Sequence, residues 1–278
     1  GQHASLGPIT RLISGPKVAG FLLTQELTAL DNFMRKPHKP VVAIIGGVNA
    51  SAKIEAIKNL IVYGKVDKLI IVGGIAFPFL KIHGHNVDNC MFEEDPDLQA
   101  QVLHNATVVL ELAKGYGVDI TLLVDHIMAK LTGLNPETVK ANKINGRFAR
   151  LKAYDIGPDT LVLIKKKMRD AKTIIFNGIA GKYQDETFCH GTNQILDLVF
   201  AHEAESKIIL GLHSATAAQR RLGTKSPPAR TYLSTMGEAG LKFLAGEELT
   251  ALNHLDDLPA KTDLKSKEPV KEKINLNA

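Results

Sequence analysis

The sequence has few cysteines, no long apolar run and none of the common nucleotide-binding signatures. Cys90 and Cys189 are its only cysteines and they form no CxxC pair, so neither a disulfide framework nor a zinc site is indicated. No apolar run approaches the roughly 20 residues of a membrane-spanning helix. Neither a Walker sequence nor a G-x-G-x-x-G fingerprint occurs. We therefore expect a globular protein with no metal centre and no transmembrane segment.

The composition is that of a folded protein with a mildly basic balance. Hydrophobic residues make up 45% and charged residues 23% of the 278 residues, which supports a sizeable core and argues against general disorder. The formal net charge is +5, which permits contact with RNA or anionic lipid without demanding it. Residues 259–278 are polar and are predicted to form a tail that orders only against a partner.

Short β-branched runs alternate with segments of helical periodicity. The predicted strands are Val41–Gly46, Lys68–Val72, Ile120–Val124, Thr173–Phe176 and Lys207–Gly211. The predicted helices are Gly20–Met34, Ser51–Val62, Asp95–Lys114, Thr160–Arg169, Thr187–His202 and Ser214–Leu222. This order predicts an α/β fold with a Rossmann-like open parallel sheet and helices on both faces. Thr132–Arg150 is polar and is predicted to be an irregular surface excursion.

Four predicted strands run into turns of small residues. These turns are Gly46-Gly47, with Ser51 as the expected cap of the next helix, then Gly73-Gly74, Asn177-Gly178 and His213-Ser214. Glycine lets a ligand approach the backbone, and a helix N-terminus favours a phosphate. Two interpretations stay open at this point: a nucleotide site, or turns that use glycine and serine for geometry alone.

Seven stretches then occur in a fixed order. They are Ala19–Leu27, Ala43–Ile54, Asp67–Leu80, Asp155–Pro158 (DIGP), Phe176–Gly181 (FNGIAG), Ile208–Ala215 (IILGLHSA) and Ser234–Ala239 (STMGEA). The chain in these stretches resembles the C-terminal, nucleotide-binding domain of phosphoglycerate kinases. The resemblance implies that residues 1–36 are the end of the N-terminal domain and the interdomain helix, and that residues 37–258 form the α/β domain. It implies vestigial nucleotide-binding positions at Gly46, Gly47, Lys53, Gly73, Gly74, Asn177, Gly178, Gln184 and Ser214.

The sequence departs from the family pattern at positions where the resemblance places the chemistry. Asn49 stands where the family has a lysine, and His213 stands where the family has the aspartate that holds the metal. Ile179 replaces a proline, and Glu238 replaces a glycine and adds negative charge near a phosphate site. We therefore expect a degenerate phosphoglycerate kinase: not an enzyme, with no catalytic residues, no metal and no cofactor beyond residual ATP or ADP binding.

Under this interpretation, the function is that of a structural or accessory subunit. Its partners would be other protein subunits of a large complex, with RNA contact through the basic surface as a further expectation. A mitochondrial location is predicted, with the cytoplasm as the alternative. Two other functions stay open: a nucleotide-binding regulatory module, or one half of a split phosphoglycerate kinase.

Overall fold

Nine strands and nine helices occur in the parts of the chain that the computed structural model describes, which are residues 8–35, 37–90, 95–249 and 251–256. The strands are β1 Val41–Ile45, β2 Lys68–Ile71, β3 Asp119–Thr121, β4 Asp125–Ala129, β5 Glu137–Lys140, β6 Lys152–Ile156, β7 Thr173–Asn177, β8 Ser206–Leu210 and β9 Thr231–Ser234. The helices are α1 Pro8–Leu12, α2 Phe21–Arg35, α3 Ala50–Val62, α4 Ala76–Ile82, α5 Pro96–Tyr116, α6 Pro158–Met168, α7 His190–Ala201, α8 Leu212–Leu222 and α9 Glu238–Leu244.

The main sheet has six strands in the order β3-β2-β1-β7-β8-β9, and all of its pairs are parallel. Strands β1 and β7 are buried at every position, as expected for strands covered on both faces. On one side α3 packs against α5 and α9, and on the other α7 packs between α6 and α8. The predicted α/β fold with a Rossmann-like parallel sheet is confirmed. The strand order reverses between β1 and β7, where such sheets open a crevice.

A second sheet overturns the prediction of an irregular excursion over residues 132–150. Strand β4 pairs antiparallel with both β5 and β6, and β5 lies within that stretch. The physical reason is that β4 takes its partners from separate parts of the chain, so no alternating run marks the pairing in sequence. The predicted strand Ile120–Val124 is correspondingly shorter, because β3 ends at Thr121.

A buried carboxylate joins the second sheet to α6. Thr160 donates from Oγ1 to Asp125 Oδ1 at 2.7 Å and from its backbone N–H at 2.8 Å. Asp159 donates its backbone N–H to Asp125 Oδ2 at 3.0 Å. A Cβ at Gly157 would overlap the same carboxyl group, so the glycine of the Asp155–Pro158 motif is required by packing. These bonds place an acidic side chain at the start of α6, where the helix dipole favours it.

The N-terminal helix α2 is half core and half surface. Leu27 and Leu30 are buried in the main core, and α2 packs against α9. By contrast, Phe21 is 96% and Leu22 80% exposed, beside the exposed Val18. The domain boundaries at residues 36 and 258 stay predictions, and the tail 259–278 lies outside the described residues. Among the described helices, none has the length and apolar character needed to cross a bilayer.

Candidate functional site

A cavity of about 720 Å³ opens at the carboxyl ends of β1, β2 and β7 and extends over β6. Nine of the residues singled out from the sequence line it: Gly47, Asn49, Lys53, Gly73, Gly74, Gly178, Ile179, Gln184 and His213. Gly46, Asn177 and Ser214 are not lining residues but bond to residues that are. A cavity of this volume at the switch point of a parallel sheet fits a small-molecule ligand.

The glycines of the cavity floor hold three loops against one another. A Cβ at Gly73, whose φ is +64°, would lie 2.8 Å from the Ile179 carbonyl oxygen and 2.9 Å from the Gly47 nitrogen. A Cβ at Gly46 would lie 2.6 Å from the same Ile179 oxygen, and Gly47 N–H donates to that oxygen at 2.9 Å. Here the packing of backbone against backbone requires glycine even before any ligand is considered.

Lys53 is the cation of the cavity floor. Its Nζ donates to the Asn177 Oδ1 at 2.9 Å and to the Gly46 carbonyl oxygen. Burial lowers the pKa of Lys53 to about 8, while the charge of Glu238 acts in the opposite direction. An ammonium group has three donors, so this geometry leaves one for a ligand in the cavity.

The start of α8 borders the cavity beside the Asn177-Gly178 turn. Asn177 Nδ2 donates to the Leu210 carbonyl oxygen at 2.9 Å, and Gly178 N–H donates to Ser214 Oγ at 2.7 Å. His213, in the first turn of α8, lines the cavity and is exposed. Leu212, the first residue of α8, is 60% exposed and lies outside the cavity lining, so its side chain does not occupy the space available to a ligand. The unpaired N–H groups and dipole of a helix N-terminus attract anions.

Two of the family departures have structural roles of their own. Asn49 replaces the expected Ser51 as the cap of α3, because its Oδ1 accepts from the Ala52 N–H at 3.5 Å. Glu238 is outside the cavity lining and pairs with Lys242 Nζ at 2.9 Å on the surface of α9. Its charge nevertheless reaches Lys53, where it opposes the lowering of the lysine pKa by burial.

Asp155 is a cavity residue to which the sequence assigned no role. Its Oδ2 accepts from the Gly191 N–H at 2.7 Å, at the start of α7, and its Oδ1 accepts from the Ile156 N–H at 2.9 Å. Burial raises the pKa of Asp155 to about 7, against the effect of these two bonds. The sequence signal was its place in the Asp155–Pro158 motif, which marks the residue without saying what it contacts.

His126 is a second residue that sequence reasoning missed. It lies on β4 opposite Ile156, is 1% exposed, and its ring centroid is 5.9 Å from that of Phe77. Its Nε2 is buried, with no hydrogen-bond partner in the part of the chain that the structure describes. Burial lowers the pKa of His126 to about 4; the charge of Asp125 opposes this shift and that of His85 adds to it. A histidine between Asp125 and an apolar run was the available signal.

The wall opposite the glycine loops is aromatic and basic. The Tyr154 ring stacks on Phe188 at 4.8 Å, and its hydroxyl donates to the Leu131 carbonyl oxygen at 3.1 Å. Lys182 Nζ lies 5.6 Å from the centre of the Tyr154 ring and 3.4 Å from Asp185. Lys152 also lines the cavity. The cavity therefore joins an apolar, aromatic wall to a cationic floor, which suits a ligand with a ring and an anionic tail.

A magnesium ion, which the family resemblance implies, does not fit the residues that are present. Mg²⁺ is held in proteins by carboxylate oxygens together with substrate phosphates. Asp155 is the one carboxylate among the described lining residues, and both of its oxygens accept backbone N–H groups. Over the same residues, no group of three acidic, histidine or cysteine side chains is arranged to hold a metal.

Comparison with known proteins gives consistent matches. The family model described as phosphoglycerate kinase matches residues 1–247. The phosphoglycerate kinase of Aquifex aeolicus is 36% identical over 93% of this chain and 62% of its own length, and that of Pelobacter propionicus is 35% identical over 91% and 60%. The solved phosphoglycerate kinase of Coxiella burnetii superposes with a TM-score of 0.73 at 32% identity, over 85% of this chain and 57% of its own. This chain thus spans about 60% of the length of these relatives.

These matches correct one expectation. The prediction that the chain is not an enzyme is wrong, because relatives that are 32–36% identical over most of the chain are phosphoglycerate kinases, which are enzymes. Asn49 and His213 differ from the family pattern, but at this level of similarity the differences are no ground for a non-catalytic protein.

Proposed function

Because the chain belongs to the phosphoglycerate kinase family, we propose that it supplies the nucleotide-binding half of a phosphoglycerate kinase. In this proposal the cavity binds ADP or ATP, and phosphoryl transfer takes place when a phosphoglycerate-binding half faces it. The observation that carries the proposal is the joint placement of Lys53 and the start of α8 at one end of a cavity whose other wall is aromatic. Phosphoryl transfer depends mainly on positioning and on neutralising charge, which these groups supply.

The residues have separate tasks in this proposal. Lys53, held by Asn177 and Gly46, contacts the phosphates through its remaining N–H donor. The N-terminal end of α8 directs its backbone N–H groups and the positive end of the helix dipole toward the same phosphates. Tyr154, fixed by Phe188 and Leu131, forms the wall beside the base.

Replacing the floor lysine tests the nucleotide site. Lys53→Met should weaken ADP binding about 10- to 100-fold, the range expected for one charged hydrogen bond. Lys58→Met is the matched control, because Lys58 lies on the same helix and pairs with Glu55 outside the cavity. Calorimetric titration of ADP into the three proteins measures the effect. Equal affinities for native protein and Lys53→Met would refute the site.

The exposed part of α2 supports the other element of the proposal, a second half that docks beside the cavity. Phe21 and Leu22 are large apolar side chains on a helix whose opposite face is core. Covering such side chains stabilises a complex by roughly 1.5–3 kcal/mol each. We propose that the phosphoglycerate-binding half covers them, whether it belongs to the same polypeptide or to a separate one.

Addition of a separate half tests this element. A phosphoglycerate-binding half prepared from a relative should bind this chain and produce turnover of 3-phosphoglycerate in a coupled assay. Phe21→Ser should weaken that association at least about tenfold. Val162→Ser, at an equally apolar exposed site on α6, should not. No association, or association indifferent to Phe21, would contradict the proposal. A mitochondrial location, RNA contact and a place in a larger assembly stay predictions.

A further inference from the structure

The charges that line the cavity do not match those that a metal–nucleotide complex needs. Lys53, Lys152 and Lys182 line it, and Asp155 is the single acidic side chain among the described lining residues. One carboxylate oxygen of Asp155 accepts the Ile156 N–H and the other accepts the Gly191 N–H. Lys182 pairs with Asp185, and neither Lys53 nor Lys152 has an acidic partner among the described lining residues. Among the described lining residues, a divalent cation placed here would meet like charge and a single carboxylate whose two oxygens already accept backbone N–H groups.

The position that the family resemblance assigns to the metal-holding aspartate carries an imidazole, that of His213. His213 lines the cavity in the first turn of α8, and the next residue, Ser214, accepts from the Gly178 N–H behind the lining. Magnesium prefers oxygen ligands and gives up its water reluctantly, so an imidazole nitrogen is a poor substitute for a carboxylate. A helix N-terminus itself carries the equivalent of about half a positive charge, which again favours an anion over a cation.

We infer that this site binds the polyphosphate of its nucleotide as the metal-free anion, with His213 as the residue that sets this preference. The inference rests on the proposed nucleotide site and concerns the form of its ligand. The phosphates are neutralised by Lys53, by the N-terminal end of α8 and by the other two lining lysines, Lys152 and Lys182. These groups take the place of a metal ion. Mg²⁺ and the protein then compete for the nucleotide, so the coupling between Mg²⁺ and nucleotide binding at this site is unfavourable.

The test is a calorimetric titration with two probes, ADP and inorganic pyrophosphate, in EDTA and in excess MgCl₂ at matched ionic strength, because salt screens the same charges. Native protein should bind both probes at least about fivefold more tightly in EDTA than in MgCl₂. His213→Asp should reverse this, with Mg²⁺ tightening binding by about fivefold or more. His104→Asp makes the same charge change at an exposed site on α5 outside the cavity and should behave as native.

The remaining outcomes of this titration distinguish failure of the inference from failure of the proposed nucleotide site. Native binding that is as tight or tighter in MgCl₂ would overturn the inference and leave the proposed nucleotide site standing. Weakening by Mg²⁺ to the same extent in native protein and in His213→Asp would overturn the role of position 213. Absence of binding by either probe in both buffers would overturn the proposed nucleotide site and the inference with it. His213 is exposed, so its substitution should leave the fold intact, which the melting temperature checks.

Discussion

The buried imidazole of His126 should make the protein sensitive to acid. Its Nε2 has no hydrogen-bond partner among the described residues, and its ring lies near Phe77, where both side chains line the cavity. Burial lowers the pKa of His126 to about 4, well below the ordinary histidine value. Between these two values the unfolded chain binds a proton that the native protein does not. The stability that neutral His126 contributes is therefore complete above the ordinary pKa of about 6.5 and is lost as the pH falls toward 4.

The size of the effect follows from the two pKa values. Between pH 7 and pH 4.5 this one group should remove about 2 kcal/mol from the free energy of unfolding. Asp155 acts in the opposite sense over the same range, because burial raises its pKa to about 7 and its native form keeps a proton that the unfolded form loses. The measurable quantity is therefore the difference between native protein and a His126 variant, in which the contribution of Asp155 cancels.

His126→Phe is the informative variant, since a phenyl ring fills the same space and has no orphaned nitrogen. Urea unfolding at pH 7 and pH 4.5 should show native protein losing about 2 kcal/mol more than His126→Phe over this interval. At pH 7 the variant should be at least as stable as native, because it removes a buried polar atom without a partner. His104→Gln, at an exposed site on α5, serves as the control. Equal losses in native protein and His126→Phe would refute the assignment.

Two further predictions concern the frame of the cavity. Gly73→Ala should lower the free energy of chemical unfolding by about 1–3 kcal/mol more than Gly64→Ala does. The two glycines have similar φ values of +64° and +62°, but only Gly73 has backbone atoms within 3 Å of a new Cβ. Equal losses for the two variants would show that the loops can separate freely. Thr160→Val should cost about 2–3 kcal/mol, since it strips a 2.7 Å bond from the fully buried Asp125. Thr107→Val removes only a local helix bond and should cost less than about 1 kcal/mol; similar losses at both threonines would contradict the importance of the Asp125 network.

The sequence was most informative where local pattern and burial agree. Strands β1, β2, β7 and β8 are apolar runs buried from both sides, and each was predicted to within two residues. Helix α5 was similarly marked, because Asp95 caps it with two bonds to its first turn and Gly117 ends it with a left-handed φ of +70°. The turns that follow these strands were found for the same reason, and they brought Lys53 and the glycines to one edge of the sheet.

The part that sequence could not provide depends on non-local pairing. His126 and Asp155 reach the cavity only because β4 pairs with β6, two strands separated by more than twenty residues of turns and a third short strand. Neither β4 nor β6 has a clean alternation, since polar side chains in them face the cavity or cap a helix. Asn49 shows a comparable limit of sequence-based interpretation. In the motif it stands for the loss of a lysine charge, whereas in the fold its side chain caps α3.

The positions that differ from the family pattern have to be interpreted from their surroundings in the fold as well as from the motif. A motif records which residue type stands at a position, whereas function depends on the charge that the whole cavity presents to a ligand. Among the described residues, three lysines and one carboxylate line this cavity, so the imidazole of His213 lies in a site whose balance of charge is positive. Both oxygens of that carboxylate, Asp155, accept backbone N–H groups, and Glu238 is paired with Lys242 outside the lining. The arrangement therefore favours a site that holds an anion by protein charge alone.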